Sequence, residues 1–245
     1  WIFIIITLEM SFPFHSFEIG SSQETNAFTF HECLGEGQEL YFLAKFHGYE
    51  NGNQYAEKLF GSIIDNLQNS KVQNLYDRFE DALKNANQEA QLWQNPDGSI
   101  DVAVAYFDFH HLYLSQSGQS ESYLIRDHIV SQISEANDTG RDLFLNILSG
   151  QVAIEDTVIM SSNKLLTHTT SETLAKVLQN EAFNQACDNL KKELQKETPQ
   201  SMVIACIGVG KRDSAALINN AGFLSKVVSS GEKVLQNTAS AASNI

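Results

Sequence analysis

The stretch Leu40–Phe60, "LYFLAKFHGYENGNQYAEKLF", decides the layout of the chain. Its first seven residues contain a single charged side chain and predict a buried strand. Gly48 and Gly52 then mark a turn. From about residue 53 to about 69, apolar side chains recur at three- and four-residue spacing, which predicts an amphipathic helix. A buried strand followed by a long amphipathic helix is typical of a domain built from packed layers.

Composition limits the classes of protein to consider. The 245 residues are 42% hydrophobic and 19% charged, which fits one large domain or two small ones. Thirty acidic against sixteen basic residues give a net charge of -14, which argues against nucleic acid and anionic membranes as partners. Cys33, Cys187 and Cys206 show no CxxC spacing. We interpret them as buried thiols of a cytoplasmic protein.

The two ends differ from the middle of the chain. The opening stretch "WIFIIITLEM" is too short for a transmembrane helix, which needs roughly 20 apolar residues, and it lacks the basic flank and cleavage site of a signal peptide. Residues 1–9 therefore read as an upstream segment or as sequence ahead of a start at Met10. Residues 210–245 read as a polar linker with a weak helix. The domain is thus expected at 10–209, without membrane insertion.

The middle of the chain continues in regular blocks. A second helix is predicted to about residue 92, starting near Val72. Strands are predicted from Ile100, His111, Glu121 and Asp156, then a helical segment over 171–196 and a last buried strand, "QSMVIACIGV". This order favours an α+β domain over alternating βαβ units. The motifs GxGxxG, GxxxxGK[ST] and GxSxG are missing from the sequence, so nucleotide binding and serine hydrolysis have no motif support.

Several of these blocks resemble, in order, the motifs of metal-dependent protein serine/threonine phosphatases of the PPM type, over about residues 17–209. "LYFLAKFHGYENG" resembles a strand followed by A-D-G-x-G-G, "GQSESYLIR" resembles G-D-S-R-A-Y-L-x-R, and "LSGQVAIEDTVIMSSNKL" resembles S-G-x-L-x-x-G-D with a later S-D-G-L. The resemblance implies a four-layer αββα sandwich, in which helix pairs flank two antiparallel sheets. The matching structural positions are Gly48, Gly52, Gly118, Ser120, Tyr123, Arg126, Gly150, Asp156 and Ser162.

In that family, aspartates hold two Mn or Mg ions about 4 Å apart, which activate the water that attacks a phosphoserine or phosphothreonine. The positions matching those aspartates are Asn26, Lys45, Asn163 and Thr198. None is a carboxylate, whereas hard divalent cations require charged oxygen ligands. We therefore expect no bound catalytic metal and no cofactor. Gln119 also replaces an aspartate of the family pattern, although that position is mainly structural.

The resemblance thus implies a pseudophosphatase that acts as a binding or regulatory module in signalling, with a protein partner that is either phosphorylated or unphosphorylated. One alternative is an active phosphatase whose metals use other carboxylates. A second alternative is a structural domain of a larger protein. The candidate carboxylates for the first alternative are Glu24, Glu32, Glu50, Asp108, Asp127 and Asp156.

Other polar residues have simpler interpretations. Lys45 either extends to solvent or pairs with Glu50, or else it occupies the empty cation site. "HEC" at residues 31–33 is expected to form a loop beside a strand, and Lys164 is a candidate for phosphate binding without catalysis. Four histidines are expected at the surface or in turns because they lack metal-ligand spacing; these are His47, His110, His111 and His128.

Overall fold

The computed structural model describes residues 11–20, 26–93, 95–134, 142–179, 181–197 and 201–210, all within one compact unit. The predictions for both chain ends, for Glu24 and for Thr198 lie outside the described residues. The strands are β1 Phe14–Ile19, β2 Ala27–Gly35, β3 Gln38–His47, β4 Ser99–Asp108, β5 His111–Ser117, β6 Glu121–Arg126, β7 Ile129–Ser134, β8 Leu148–Gln151, β9 Thr157–Ser161 and β10 Met202–Gly208. The helices are α1 Gly52–Asn69, α2 Leu75–Gln91, α3 Ser171–Gln179 and α4 Phe183–Glu197, with a 3-10 turn at Leu165–Thr167.

The strands form two five-stranded sheets. The first sheet has the order β2-β3-β4-β5-β8, and the second has the order β1-β10-β9-β6-β7. All strand pairs in both sheets are antiparallel. The predicted α+β fold with two antiparallel sheets is therefore confirmed.

Side-chain alternation along the strands divides the core into three apolar clusters. In β3, Leu40, Phe42 and Ala44 pack against α1 and α2, whereas Tyr41 and Leu43 face the second sheet. A third cluster joins the second sheet to α3 and α4, through residues that include Tyr123, Ile159, Ile204, Leu174, Leu178 and Leu190. The layers are consequently helix pair, sheet, sheet and helix pair, as predicted.

The structure corrects several local predictions. The second helix begins at Leu75 rather than near Val72, because the Asn74 side chain accepts a hydrogen bond from the Asp77 N–H (3.2 Å) and caps it there. The segment 171–196 is not continuous but forms the two helices α3 and α4.

The prediction for "HEC" is also wrong, because residues 31–33 lie inside β2. This strand is at the edge of the first sheet, and Cys33 is exposed there rather than buried. Cys187 and Cys206 are buried, as expected. Within the described residues, no helix is both long and apolar enough to cross a membrane.

Candidate functional site

A cleft of about 520 Å³ opens where the two sheets meet at one end of the sandwich. Strand ends from both sheets supply its lining, because the end of β3 and the start of β4 face the loop after β9 and the residue before β10. The cleft contains two of the four positions that match family aspartates, Lys45 and Asn163. Its lining residues are Lys45, His47, Ser99, Asp101, Gln119, Ser162, Asn163 and Ser201.

Lys45 provides the only lysine or arginine side chain among those lining residues. Its Nζ donates a hydrogen bond to the carbonyl oxygen of Ser201, which belongs to the other sheet's side of the cleft. Burial of the ammonium lowers the pKa of Lys45, and the carboxylates of Asp101 and Glu18 oppose that shift. Lys45 forms no ion pair with Glu50 within the described part of the chain, so that interpretation is wrong. The ammonium lies inside the cleft.

Asp101 is the buried carboxylate of this site, with 8% of its side chain exposed. Its Oδ1 accepts a hydrogen bond from the backbone N–H of Gln119 (2.8 Å), and its Oδ2 lies 2.8 Å from His47 Nε2. His47 is therefore exposed at the end of β3, as expected for a surface histidine, and it is paired there with a carboxylate. Asp101 also lies opposite Lys45 in the β3–β4 pairing. These contacts hold the Asp101 carboxylate in the same cleft as the Lys45 ammonium.

Sequence reasoning missed Asp101 and Glu18. A signal was present for Asp101, because residues 101, 103, 105 and 107 share one face of β4 by alternation. Ala103, Ala105 and Phe107 belong to the apolar cluster between the sheets, so the aspartate at the same face points toward the second sheet. Glu18 gives no comparable signal in the sequence; in the structure its carboxylate accepts a hydrogen bond from the Ser201 hydroxyl (3.2 Å) and influences the pKa of Lys45.

Asn163 follows β9 on a backbone that Ser162 holds in place. Ser162 donates its N–H to the Val203 carbonyl and accepts the Val203 N–H on Oγ, both at 3.0 Å. Asn163 Oδ1 accepts a hydrogen bond from the N–H of Lys164 (2.8 Å). Lys164 itself is exposed and does not line the cleft, so the cleft geometry gives no support to phosphate binding by this residue.

Asn26 has a different role from Lys45 and Asn163. Its Nδ2 donates to the Tyr49 carbonyl (2.6 Å), and its own carbonyl accepts the Phe46 N–H (2.8 Å). The side chain also lies against Gly52, where an added Cβ would meet Asn26 Cβ at 3.0 Å. Asn26 therefore braces the turn between β3 and α1 and does not line the cleft.

The structure also describes the positions that match structural residues of the family motifs. Gly48 and Gly118 adopt φ values of 75° and 71°, which suit glycine. Arg126 binds Asp156 through two hydrogen bonds, Nε to Oδ1 at 2.9 Å and Nη2 to Oδ2 at 2.6 Å. The Tyr123 hydroxyl donates to the Glu121 carboxylate. Ser120 is buried, and Gly150 is exposed in β8.

The carboxylates proposed for an alternative metal site are spread over the molecule. Asp108 is at the far end of β4 from Asp101, about 23 Å away for seven residues of strand. Asp127 occupies the turn between β6 and β7, and Asp156 is paired with Arg126. Glu32 lies in β2 and Glu50 precedes α1. Within the described ranges, no three His, Cys, Asp or Glu side chains come together in a group able to hold a metal ion.

Comparison with solved structures identifies the fold. No protein-family model and no curated protein matches the sequence. A serine/threonine phosphatase of Mycobacterium tuberculosis, PstP/Ppp, shares 15% identity with a TM-score of 0.61, over 81% of this chain and 98% of that one. The serine/threonine phosphatase of S. agalactiae shares 12% identity with a TM-score of 0.66, over 81% and 99% of the two chains. The PstP catalytic domain with two manganese ions shares 13% identity with a TM-score of 0.64, over 82% and 98%.

Proposed function

We propose, from the PPM-type serine/threonine phosphatase fold of this chain, that it is a pseudophosphatase acting as a protein-binding or regulatory module. The observation that carries the proposal is the Lys45 ammonium, which lies in the cleft and is bonded to Ser201. The motif resemblance places a metal-binding aspartate at this position. A lysine there reverses the charge that would attract a divalent cation.

The charges around the cleft favour the same conclusion. Asp101 and Glu18 contribute -2 and Lys45 contributes +1, so the site offers a net charge of about -1 against the +4 of two divalent ions. Two unit charges about 4 Å apart near a protein surface repel or attract by about 4 kcal/mol, and a divalent ion doubles that value. The ammonium therefore opposes a metal about as strongly as one carboxylate would attract it.

A thermal-shift titration with about 1 mM to 10 mM manganese or magnesium tests the proposal, since any bound ion stabilises the folded state. We expect an unchanged melting temperature and no hydrolysis of p-nitrophenyl phosphate or of a phosphothreonine peptide. Stabilisation by manganese together with metal-dependent turnover would instead support the active phosphatase with a rearranged metal site.

Two double variants test whether carboxylates added to the cleft create affinity for a metal ion. Lys45→Asp combined with Asn163→Asp adds two carboxylates to the cleft, and we expect manganese to raise the melting temperature of this variant by several degrees. Lys71→Asp combined with Asn69→Asp makes the same charge change at exposed positions and should show no such response. If both variants respond equally to manganese, the effect is nonspecific and the assignment of the cleft is wrong.

The partner that this cleft would accept is a protein segment rather than a phosphate group. Asp101 and Glu18 outweigh Lys45, so a phosphorylated side chain would meet a net negative field. The three cysteines are all free thiols, and this fits a protein of the reducing cytoplasm. We therefore propose a cytoplasmic partner that presents a neutral or basic segment.

A further inference from the structure

Among the described residues, one lateral edge of the sandwich is open between the two sheets. Strand β8 ends the first sheet there and β7 ends the second. Two adjoining cavities, of about 240 and 330 Å³, lie between these strands and share the side chains of Leu114, Ile133 and Leu148. We call this crevice together with strand β8 the β8 edge. It is separate from the cleft that contains Lys45.

The backbone of β8 is available for pairing with another strand. All four of its residues are exposed, and β5 is its one neighbour among the described strands. A Cβ built on Gly150 would meet no atom within 4 Å, so space is open beside the strand. The segment before β8 is anchored, because the Asn87 side chain exchanges two hydrogen bonds of 2.8 and 2.9 Å with the backbone of Phe144. The edge is therefore preformed for strand addition.

Apolar side chains concentrate along the same edge. Eight large apolar side chains are exposed among the described residues, and four of them lie in or next to β7 and β8. These four are Ile129, Leu145, Leu148 and Ile154. Of these four, Leu148 lines the crevice, and exposed apolar groups near a cavity are typical of a protein-binding surface.

Negative charge lies at one end of this edge. The Arg126 guanidinium donates to the Gln151 carbonyl at the end of β8 (3.1 Å) and binds Asp156, so these two charges offset each other. Asp127 and Glu155 are exposed beside them, line one cavity of about 270 Å³, and form no ion pair with another described residue. The end of β8 therefore carries two carboxylates available to a basic partner.

We propose that the β8 edge binds an extended segment of a partner protein in which apolar and basic residues alternate. Its backbone pairs with β8, its apolar side chains enter the crevice, and a basic side chain reaches Asp127 and Glu155. Alternation follows from strand geometry, because successive side chains point to opposite faces. The proposal does not depend on whether the cleft binds metal.

Fluorescence anisotropy with synthetic peptides tests it on the full chain. The probe is a labelled seven-residue peptide of alternating lysine and valine, and the comparison peptide replaces each lysine by glutamate. We expect the lysine peptide to bind at least tenfold more tightly and to weaken severalfold when salt is raised to about 0.5 M. Equal binding of the two peptides would overturn the proposal.

Substitutions test whether the lysine peptide binds at the β8 edge. Leu148→Asp should weaken the lysine peptide at least tenfold, and Asp127→Asn with Glu155→Gln should remove most of the salt dependence. Leu166→Asp is the matched control, because Leu166 is similarly exposed (37% against 42% for Leu148) but does not line the crevice. An unchanged affinity in Leu148→Asp, with melting temperatures of all variants preserved, would refute the site. A dimer in sedimentation that Leu148→Asp dissociates would also overturn it, in favour of a second copy of the chain.

Discussion

Lys45 donates a hydrogen bond to the carbonyl oxygen of Ser201 and so connects the first sheet to the second at the cleft, between residues 156 positions apart in the sequence. Burial of the ammonium lowers the pKa of Lys45, and the negative charges of Asp101 and Glu18 oppose that shift. The lysine therefore contributes the positive charge within the cleft itself.

The pKa of Lys45 should be lower in the folded protein than in the unfolded chain, because burial disfavours the ammonium. NMR titration of ¹³C-methylated lysines, compared with the same residue in urea, measures the difference. The folded state releases this proton at a lower pH than the unfolded chain does. The contribution of Lys45 to the free energy of unfolding therefore rises with pH between its lowered pKa and 10.5. A folded pKa at or above the unfolded value would contradict the described burial.

Asp101→Asn should lower the free energy of unfolding by roughly 1 to 3 kcal/mol. The substitution removes a negative charge that pairs with His47, accepts the Gln119 N–H and attracts Lys45. Asp108→Asn is the matched control at the other end of β4, where the side chain is half-buried and accepts from Gln38. Asp108→Asn should lower the free energy of unfolding by about 0.5 kcal/mol or less. Urea denaturation measures both, and equal losses would remove the special role assigned to Asp101.

Gly118→Ala should destabilise the protein by roughly 2 to 4 kcal/mol. Its φ of 71° disfavours any Cβ, and the added atom would overlap the Ile100 carbonyl oxygen at 2.6 Å. Gly61→Ala in α1 is the control, because no atom lies within 4 Å of that Cβ and alanine favours a helix by about 1 kcal/mol. Thermal melting should show opposite shifts, and a tolerated Gly118→Ala would contradict the described turn.

The free energy of unfolding should fall as the pH rises above 10. Burial raises the pKa of Tyr106 to about 12, so the unfolded chain loses this proton first and gains stability relative to the folded state. The loss extends from pH 10 to about 12, and Tyr106→Phe should reduce the slope over that interval. Urea denaturation at several pH values tests this, and an identical slope in the variant would show that other groups dominate.

Much of the fold could be predicted from the sequence, because apolar periodicity reports local structure. The alternation in β3 and the spacing in α1 reflect side chains that pack on a neighbouring layer. The pattern fails in β2, where residues 31–33 are polar and exposed yet extended at a sheet edge. It also fails at the break between α3 and α4, since both helices carry the same apolar spacing.

The site was less predictable because its contacts join distant parts of the chain. Motif resemblance located Lys45 and Asn163, which the structure brings into one cleft. It gave no indication of the contact between Lys45 and Ser201, nor of the carboxylates of Asp101 and Glu18. Such contacts depend on how the two sheets face each other, which single-chain periodicity does not encode.

The arrangement of strands also determines when each half of the domain can assemble during synthesis. Every strand and helix of the first sheet and its helix layer comes from residues 27–151, so this half can form while the ribosome is still adding amino acids. The second sheet must wait, because β10 pairs with both β1 and β9 and ends at Gly208. Until that strand emerges, the nascent chain displays an uncovered apolar sheet face, and chaperones have this interval in which to act.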